Sequence, residues 1–157
     1  MLSNRLKNVV SEVNKGNLIA DIGTDHGYVP IYLVKNSIAQ KAIAADISKG
    51  SCDKAQTNIT LYGLNDKIDV RCGNGLEIIK DTEIVDTIII SGMGGLLTID
   101  VLESNKKAVN NAKQLILQPQ RDIEKVRAYL HNINYKIINE EMVIEGGKYY
   151  RIIKGIK

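Results

Sequence analysis

The chain is predicted to be an α/β protein with a mostly parallel seven-stranded sheet, helices on both faces and an antiparallel hairpin at its end, and three observations predict this. Helical and strand patterns alternate along most of its length with few long loops, as parallel strands joined by crossover helices require. The apolar run Leu18 to Ile22 breaks into a turn with glycines at 23 and 27, where a buried strand must stop and reverse into a helix. The tail then changes pattern: Tyr135 to Glu145 and Tyr149 to Ile156 read as two strands joined by Glu145-Gly-Gly-Lys148, a hairpin signal.

The elements follow in order. Leu2, Leu6, Val9 and Val13 share one face of an opening helix with Ser3 near its start. Strand one is Leu18 to Ile22, followed by a helix holding Ile31 and Val34. Lys41 to Asp46 forms a second strand, and Ser48 caps a helix whose Cys52, Ala55, Ile59 and Tyr62 share a face and which Gly63 ends. Ile68 to Arg71, Ile84 to Ser91 and Leu115 to Gln118 are strands three to five, with helices between them. Ile123, Val126, Leu130 and Ile133 mark the last helix.

Composition bounds the class. A chain of 157 residues has room for one domain, 1–157, burying roughly two thirds of its unfolded surface. Apolar residues at 44% and charged residues at 25% are ordinary for a globular protein, and no apolar run approaches the ~20 residues that span a bilayer. The start, Met1-Leu-Ser-Asn-Arg-Leu-Lys, lacks a signal-peptide core, and two cysteines make no disulfide framework, so the expected location is the reducing cytoplasm. A net charge of +3 permits an anionic partner such as RNA without demanding one, and no obligatory protein partner is evident.

In an open α/β sheet, ligands bind beyond the carboxyl ends of the strands, so the residues there can be collected into one site. The first end carries Asp21, Gly23, Asp25, His26 and Gly27. A dinucleotide turn would want glycines at 23, 25 and 28, and two of the three fail; the spacing 23, 25 and 27 fails only at Asp25. That second spacing looks like the cofactor loop of an S-adenosylmethionine (SAM) methyltransferase, and an acidic residue suits a cofactor with a cationic sulfonium and ammonium better than a pyrophosphate. At the second end Asp46, with Ile47 beside it, is placed to accept hydrogen bonds from ribose hydroxyls, the alternative being a helix cap beside Ser48. The third end is Gly73-Asn-Gly75, where the Asn74 amide could meet an adenine amino group; an ordinary glycine turn is the competing reading. The fourth, Ser91-Gly-Met-Gly-Gly95, brings Gly92 and Gly94 close to something, with Met93 as a soft apolar surface for a ring. The fifth is Gln118-Pro119-Gln120, able to read a polar base edge, or simply a strand exit stopped by proline.

Taken together, Asp21-Ile-Gly-Thr-Asp-His-Gly-Tyr28, Gly73-Asn-Gly-Leu76, Ser91-Gly-Met-Gly-Gly95 and Leu115-Ile-Leu-Gln-Pro119 resemble, in this order, the bacterial tRNA (adenine-22-N1)-methyltransferase family. The resemblance implies a Rossmann-like class I fold that binds SAM and methylates N1 of an adenine in tRNA. Asn74 stands where the family commonly has an acidic residue, and Gln120 where asparagine is usual. The family also carries a further helical, coiled-coil-like C-terminal domain, which this sequence lacks; the chain is then a fragment or a minimal relative.

Adenine N1 has its own lone pair, so positioning should dominate over acid-base chemistry. Tyr28 and Met93 are expected to contact the ring face of the target, Gln118 and Gln120 its edge, and Asp25 either the cofactor or the developing ring charge. Arg5, Lys7, Lys15, Arg121, Lys125 and Arg127 could bind phosphates, a solvated helix face being the commoner explanation for each; of these Arg5, Lys7 and Arg121 are the candidate RNA contacts. Asp86 is read as a solvated strand start, Cys52 and Cys72 as packing residues, and His131 as a surface residue. Two histidines and two cysteines so spaced make no metal site. Methylation of another RNA or a small molecule, or a non-catalytic SAM- or RNA-binding module, are the alternative readings.

Overall fold

The helix starts follow the local chemistry. In a computed structural model that describes residues 2–157, α1 (Asn4–Ser11) begins where the Ser3 hydroxyl accepts a hydrogen bond from Leu6 N at 3.2 Å. The Ser48 hydroxyl caps α3 (Lys49–Leu61) by accepting from Ser51 N at 3.3 Å. β1 (Gly16–Ile22), α2 (Tyr28–Lys35), β2 (Ala39–Asp46) and β3 (Ile68–Cys72) complete the first half. A 3-10 turn (Gly75–Ile78), β4 (Thr87–Met93), α4 (Gly95–Glu103), α5 (Lys106–Asn111), β5 (Gln114–Pro119) and α6 (Ile123–Asn132) follow. β6 (Lys136–Glu145) and β7 (Lys148–Ile156) close the chain.

The seven strands form one sheet in the order β3-β2-β1-β4-β5-β7-β6, parallel through β5 and antiparallel at β7 and β6. The hairpin turns on Gly146 (φ +57°) and Gly147 (φ +75°), the two left-handed positions that a tight two-residue hairpin demands. Successive strand residues face opposite sides, and each side has its own helices. Ala20, Ile22, Ile88, Ile90, Leu115 and Leu117 pack under Leu102 of α4, Val109 of α5 and Leu130 of α6. Ile19, Ile89 and Ile116 pack under Val9 of α1, Leu33 of α2 and Ile59 of α3. Because both faces are covered, the central strands are apolar without alternation.

Four expectations are corrected. The fourth strand begins at Thr87, not Ile84, which lies before it with 65% of its surface exposed. Asp86 is not a solvated strand start. It is buried, its Oδ2 accepts from Asn17 N at 2.6 Å and Leu18 N at 3.3 Å, and its carbonyl accepts from Lys113 N at 2.8 Å, so it ties the starts of β1, β4 and β5 together. Tyr62 leaves the buried face it was expected to share with Ala55 and Ile59 and stands at the C-cap of α3, 39% exposed. Cys72 is exposed rather than packed, while Cys52 is buried.

Candidate active site

The switch between β2, β1 and β4 opens a crevice at the carboxyl edge of the sheet, and the first turn shapes it. Gly23 N and Thr24 N both donate to the Ala45 carbonyl at 2.9 Å, pinning the turn to β2. Gly23 and Gly27 both have φ +77°, and Asp25 sits left-handed at φ +56°. A side chain at Gly27 would also press on Ala55 of α3, since a Cβ there lies 3.3 Å from the Ala55 Cβ. The turn is therefore required by chain reversal and by helix packing together.

Two cavities meet at Gly23. The first, about 160 Å³, is lined by Asp46, Ile47, Asn74, Gly75, Met93 and Leu97 among others. Asp46 accepts Asp25 N at Oδ2 (3.0 Å) and Ser48 N at Oδ1 (3.1 Å), which fixes the carboxylate plane and leaves lone pairs toward the cavity. The helix-cap alternative thus belongs to Ser48, with Asp46 bracing the approach. Ile47 (73% exposed) and Leu97 (53%) are apolar side chains held in the open at the rim, and Asn74, at the N-cap of the 3-10 turn, makes no capping bond among the described residues.

The second cavity, about 80 Å³, is lined by Arg5, Asp21, Thr24, His26, Tyr28 and Ser91 among others. Asp21 is 3% exposed, and burial pushes its carboxyl up to about 7 against the pull of Thr24 and Arg5, with Asp46 adding to the rise. The buried Thr24 hydroxyl, near enough to lower Asp21, completes no hydrogen bond among the described residues. A carboxylate so placed is under-compensated, and a cation bound beside it would supply the missing charge. His26 stacks on Tyr28 with centroids 5.2 Å apart at 18°, and its Nε2 lies 3.6 Å from Asp25 Oδ2.

Behind this cavity, Gln118 is fully buried; its Oε1 accepts from Arg5 Nη1 (2.8 Å), Ser91 Oγ (3.3 Å) and Gly92 N (3.0 Å), while its Nε2 has no partner among the described residues. Gln118 is thus the floor of the site, Pro119 is buried with it, and Gln120 is exposed, tied by its N to the Met93 carbonyl at 2.8 Å. Arg5 lies inside the site with its Nη1 2.5 Å from Ser91 Oγ, its guanidinium 4.0 Å from Glu145 and 5.8 Å from the Tyr150 ring centre. Its charge is engaged by protein groups, unlike Lys7 and Arg121, which are exposed.

The fourth strand end separates into distinct jobs. Gly92, φ +83°, sits in the register shift between Ser91 and Met93. Gly95 starts α4 against the Arg121–Asp122 backbone, where any Cβ would overlap both carbonyl oxygens, so one close approach in this segment is to protein. Met93 reaches across to Gly23, where a Cβ would meet its Cε at 2.7 Å. Sequence reasoning missed Thr24 and Leu97, and it took Arg5 for an RNA contact rather than a wall of the site; the only trace of Leu97 was the apolar pair Leu96-Leu97 after the glycines. Outside the site, burial pushes the Cys52 thiol up to about 12, with the Cys72 thiol adding to the rise, which makes it a poor nucleophile.

A protein-family profile described as a methyltransferase domain matches residues 2–153. The chain is 41% identical over 152 residues to the tRNA (adenine(22)-N(1))-methyltransferase of Bacillus subtilis, covering 97% of this chain and 63% of that protein. It therefore spans less than two thirds of that relative. Among solved structures, Sp1610 of Streptococcus pneumoniae, in complex with S-adenosyl-L-methionine, matches with a TM-score of 0.95 at 37% identity, covering 99% of this chain and 73% of that one. TrmK of M. capricolum, in complex with S-adenosyl-homocysteine, matches with a TM-score of 0.93 at 34% identity, covering 100% and 69%.

Proposed function

The chain belongs to the methyltransferase-domain family, and from that premise we propose that it transfers the methyl group of SAM to N1 of an adenine in tRNA, at tRNA position 22 as in the name of its Bacillus subtilis relative. The observation that carries the reading is the pair of cavities joined at Gly23, one facing the adenosine and the other the methionyl end, with the acceptor base at its open mouth.

The residues fit the cofactor. Asp21 and the unpartnered Thr24 hydroxyl face the need of an ammonium group, Asp46 that of ribose hydroxyls, and Ile47, Met93 and Leu97 that of a flat base whose edge Asn74 can meet. When bound, SAM supplies an electrophilic methyl carbon on a cationic sulfur. The protein's part is positional, because N1 carries its own lone pair: the N1–C bond forms as the C–S bond breaks, and the positive charge passes to the ring. Tyr28 offers a ring face to the acceptor, and Ser91, Gln118 and Arg5 form the wall behind it. Asp25, braced on Asp46 and facing His26, serves the cofactor side of the turn. The N1 edge is accessible only in an unpaired or everted adenine, so the tRNA must present it open.

The partner on this reading is tRNA and the compartment the cytoplasm. Incubation with methyl-labelled SAM and paired tRNA transcripts, one with adenine at position 22 and one with guanine there, is the test. Label in the first alone is expected; equal label in both would sink the positional claim.

A further inference from the structure

We propose that a groove beside the active-site mouth, lined by Leu2, Lys7, Ile31, Tyr32, Lys35 and Tyr62, holds the base and phosphate of an RNA nucleotide flanking the target adenine. This rests on the methyltransferase reading for the identity of the RNA. The groove lies where the start of α1, the outer face of α2 and the end of α3 converge, and encloses about 430 Å³, within the range of ligand sites.

Single exposed aromatics need no explanation, but here two half-exposed tyrosines, Tyr32 and Tyr62 at 39% each, turn toward one concavity floored by Leu2 and Ile31. The charged groups that line it are Lys7 and Lys35, and among the described residues no carboxylate does. Lys35 Nζ stands 5.2 Å from the Tyr62 ring centre. Flat rings beside ammonium groups match a nucleotide, which brings a π-face and an anion together. Tyr28 lines both this groove and the cavity of Asp21 and Ser91. An RNA strand with its target base at the mouth of that cavity therefore runs directly past Tyr28 into the groove. Holding the neighbour there keeps it from restacking on the everted base, which eversion needs.

The test is the affinity of fluorescent, unmodified tRNA transcript for the wild-type chain and for Tyr32→Ala, Tyr32→Phe and Lys35→Ala, with SAM affinity and methylation rates measured alongside. Tyr32→Ala is expected to raise the tRNA Kd and KM ~5- to 100-fold. SAM affinity and kcat stay within twofold, and Tyr32→Phe keeps wild-type behaviour. Lys35→Ala is expected to flatten the slope of log affinity against log salt by about 0.7. Folded Tyr32→Ala and Lys35→Ala proteins with wild-type tRNA affinity and salt slope would overturn the proposal, as would a wild-type chain that binds no tRNA; self-association lost in Tyr32→Ala with RNA affinity intact would give the groove to a second copy. Binding that depends on Tyr32 without methyl transfer to tRNA would instead defeat the function proposed above and leave the groove standing.

Discussion

Replacing Asp21 with asparagine should make the ligand-free protein more stable and the cofactor site worse. In the folded chain, burial raises the Asp21 carboxyl from an ordinary 3.8 to about 7. Between those values the unfolded chain has released its proton while the folded chain retains it, so stability falls as pH rises from about 4 to about 7. At 1.36 kcal/mol per pH unit, the ionised side chain costs the folded state about 4 kcal/mol at pH 8, an upper figure. A neutral amide in its place carries no such penalty. Denaturant unfolding of both proteins from pH 4 to 8 reads this directly: the stability of Asp21→Asn relative to wild type should climb with pH and level off above 7. In parallel, SAM affinity of the wild type should rise with pH up to about 7, by at most tenfold per unit, because a cationic group binds the ionised carboxylate; the Asp21→Asn profile should be weaker and flat. A stability difference that does not change between pH 4 and 8 would refute the reasoning.

Other perturbations are as specific. Asp46→Ala removes the acceptor for Asp25 N and Ser48 N along with the proposed ribose contact, and should weaken SAM ~10- to 100-fold by calorimetry with the fold retained. Gly95→Ala drives a methyl group into the Arg121 and Asp122 carbonyls, the latter at 2.8 Å, and should cost about 1–3 kcal/mol in unfolding free energy. Glu83 is held down to about 2 by its paired hydrogen bonds from Arg71, at 2.6 and 2.7 Å, so it stabilises the fold above pH 4.5 and loses that effect as pH falls toward 2. Glu83→Gln should therefore cost roughly 1–3 kcal/mol at pH 7 and nothing near pH 2, read from the pH dependence of unfolding.

The sheet was legible because its signals are local. Gly23 and Gly27 mark a reversal, Ser3 and Ser48 cap helices, and Gly146-Gly147 fix a hairpin, each through neighbours in sequence. What failed depends on distant partners. Ile84 and Val85 extend the apolar pattern of Ile88 to Ile90 across Asp86 and Thr87, and the bonds that Asp86 makes to Leu18 and Lys113 mark where pairing begins. Asp86 looks like a solvated charge until Asn17 and Leu18 are brought to it. Gln118 was legible as part of the site, but its orientation is set by Arg5, more than a hundred residues away in sequence, and so its burial as a floor was not. Arg5 itself looked like any helix-surface cation; Ser91, Gln118 and Glu145 draw it inward.

The most direct test is nucleoside mass spectrometry of an unmodified tRNA transcript after incubation with the purified chain and SAM. 1-Methyladenosine, mapped to position 22, is the expected product, and its initial rate of formation should fall ~10- to 100-fold in Asp46→Ala at subsaturating SAM. A methylated nucleoside other than 1-methyladenosine, or an unchanged transcript with SAM bound normally in calorimetry, would contradict the assignment of this site to adenine N1.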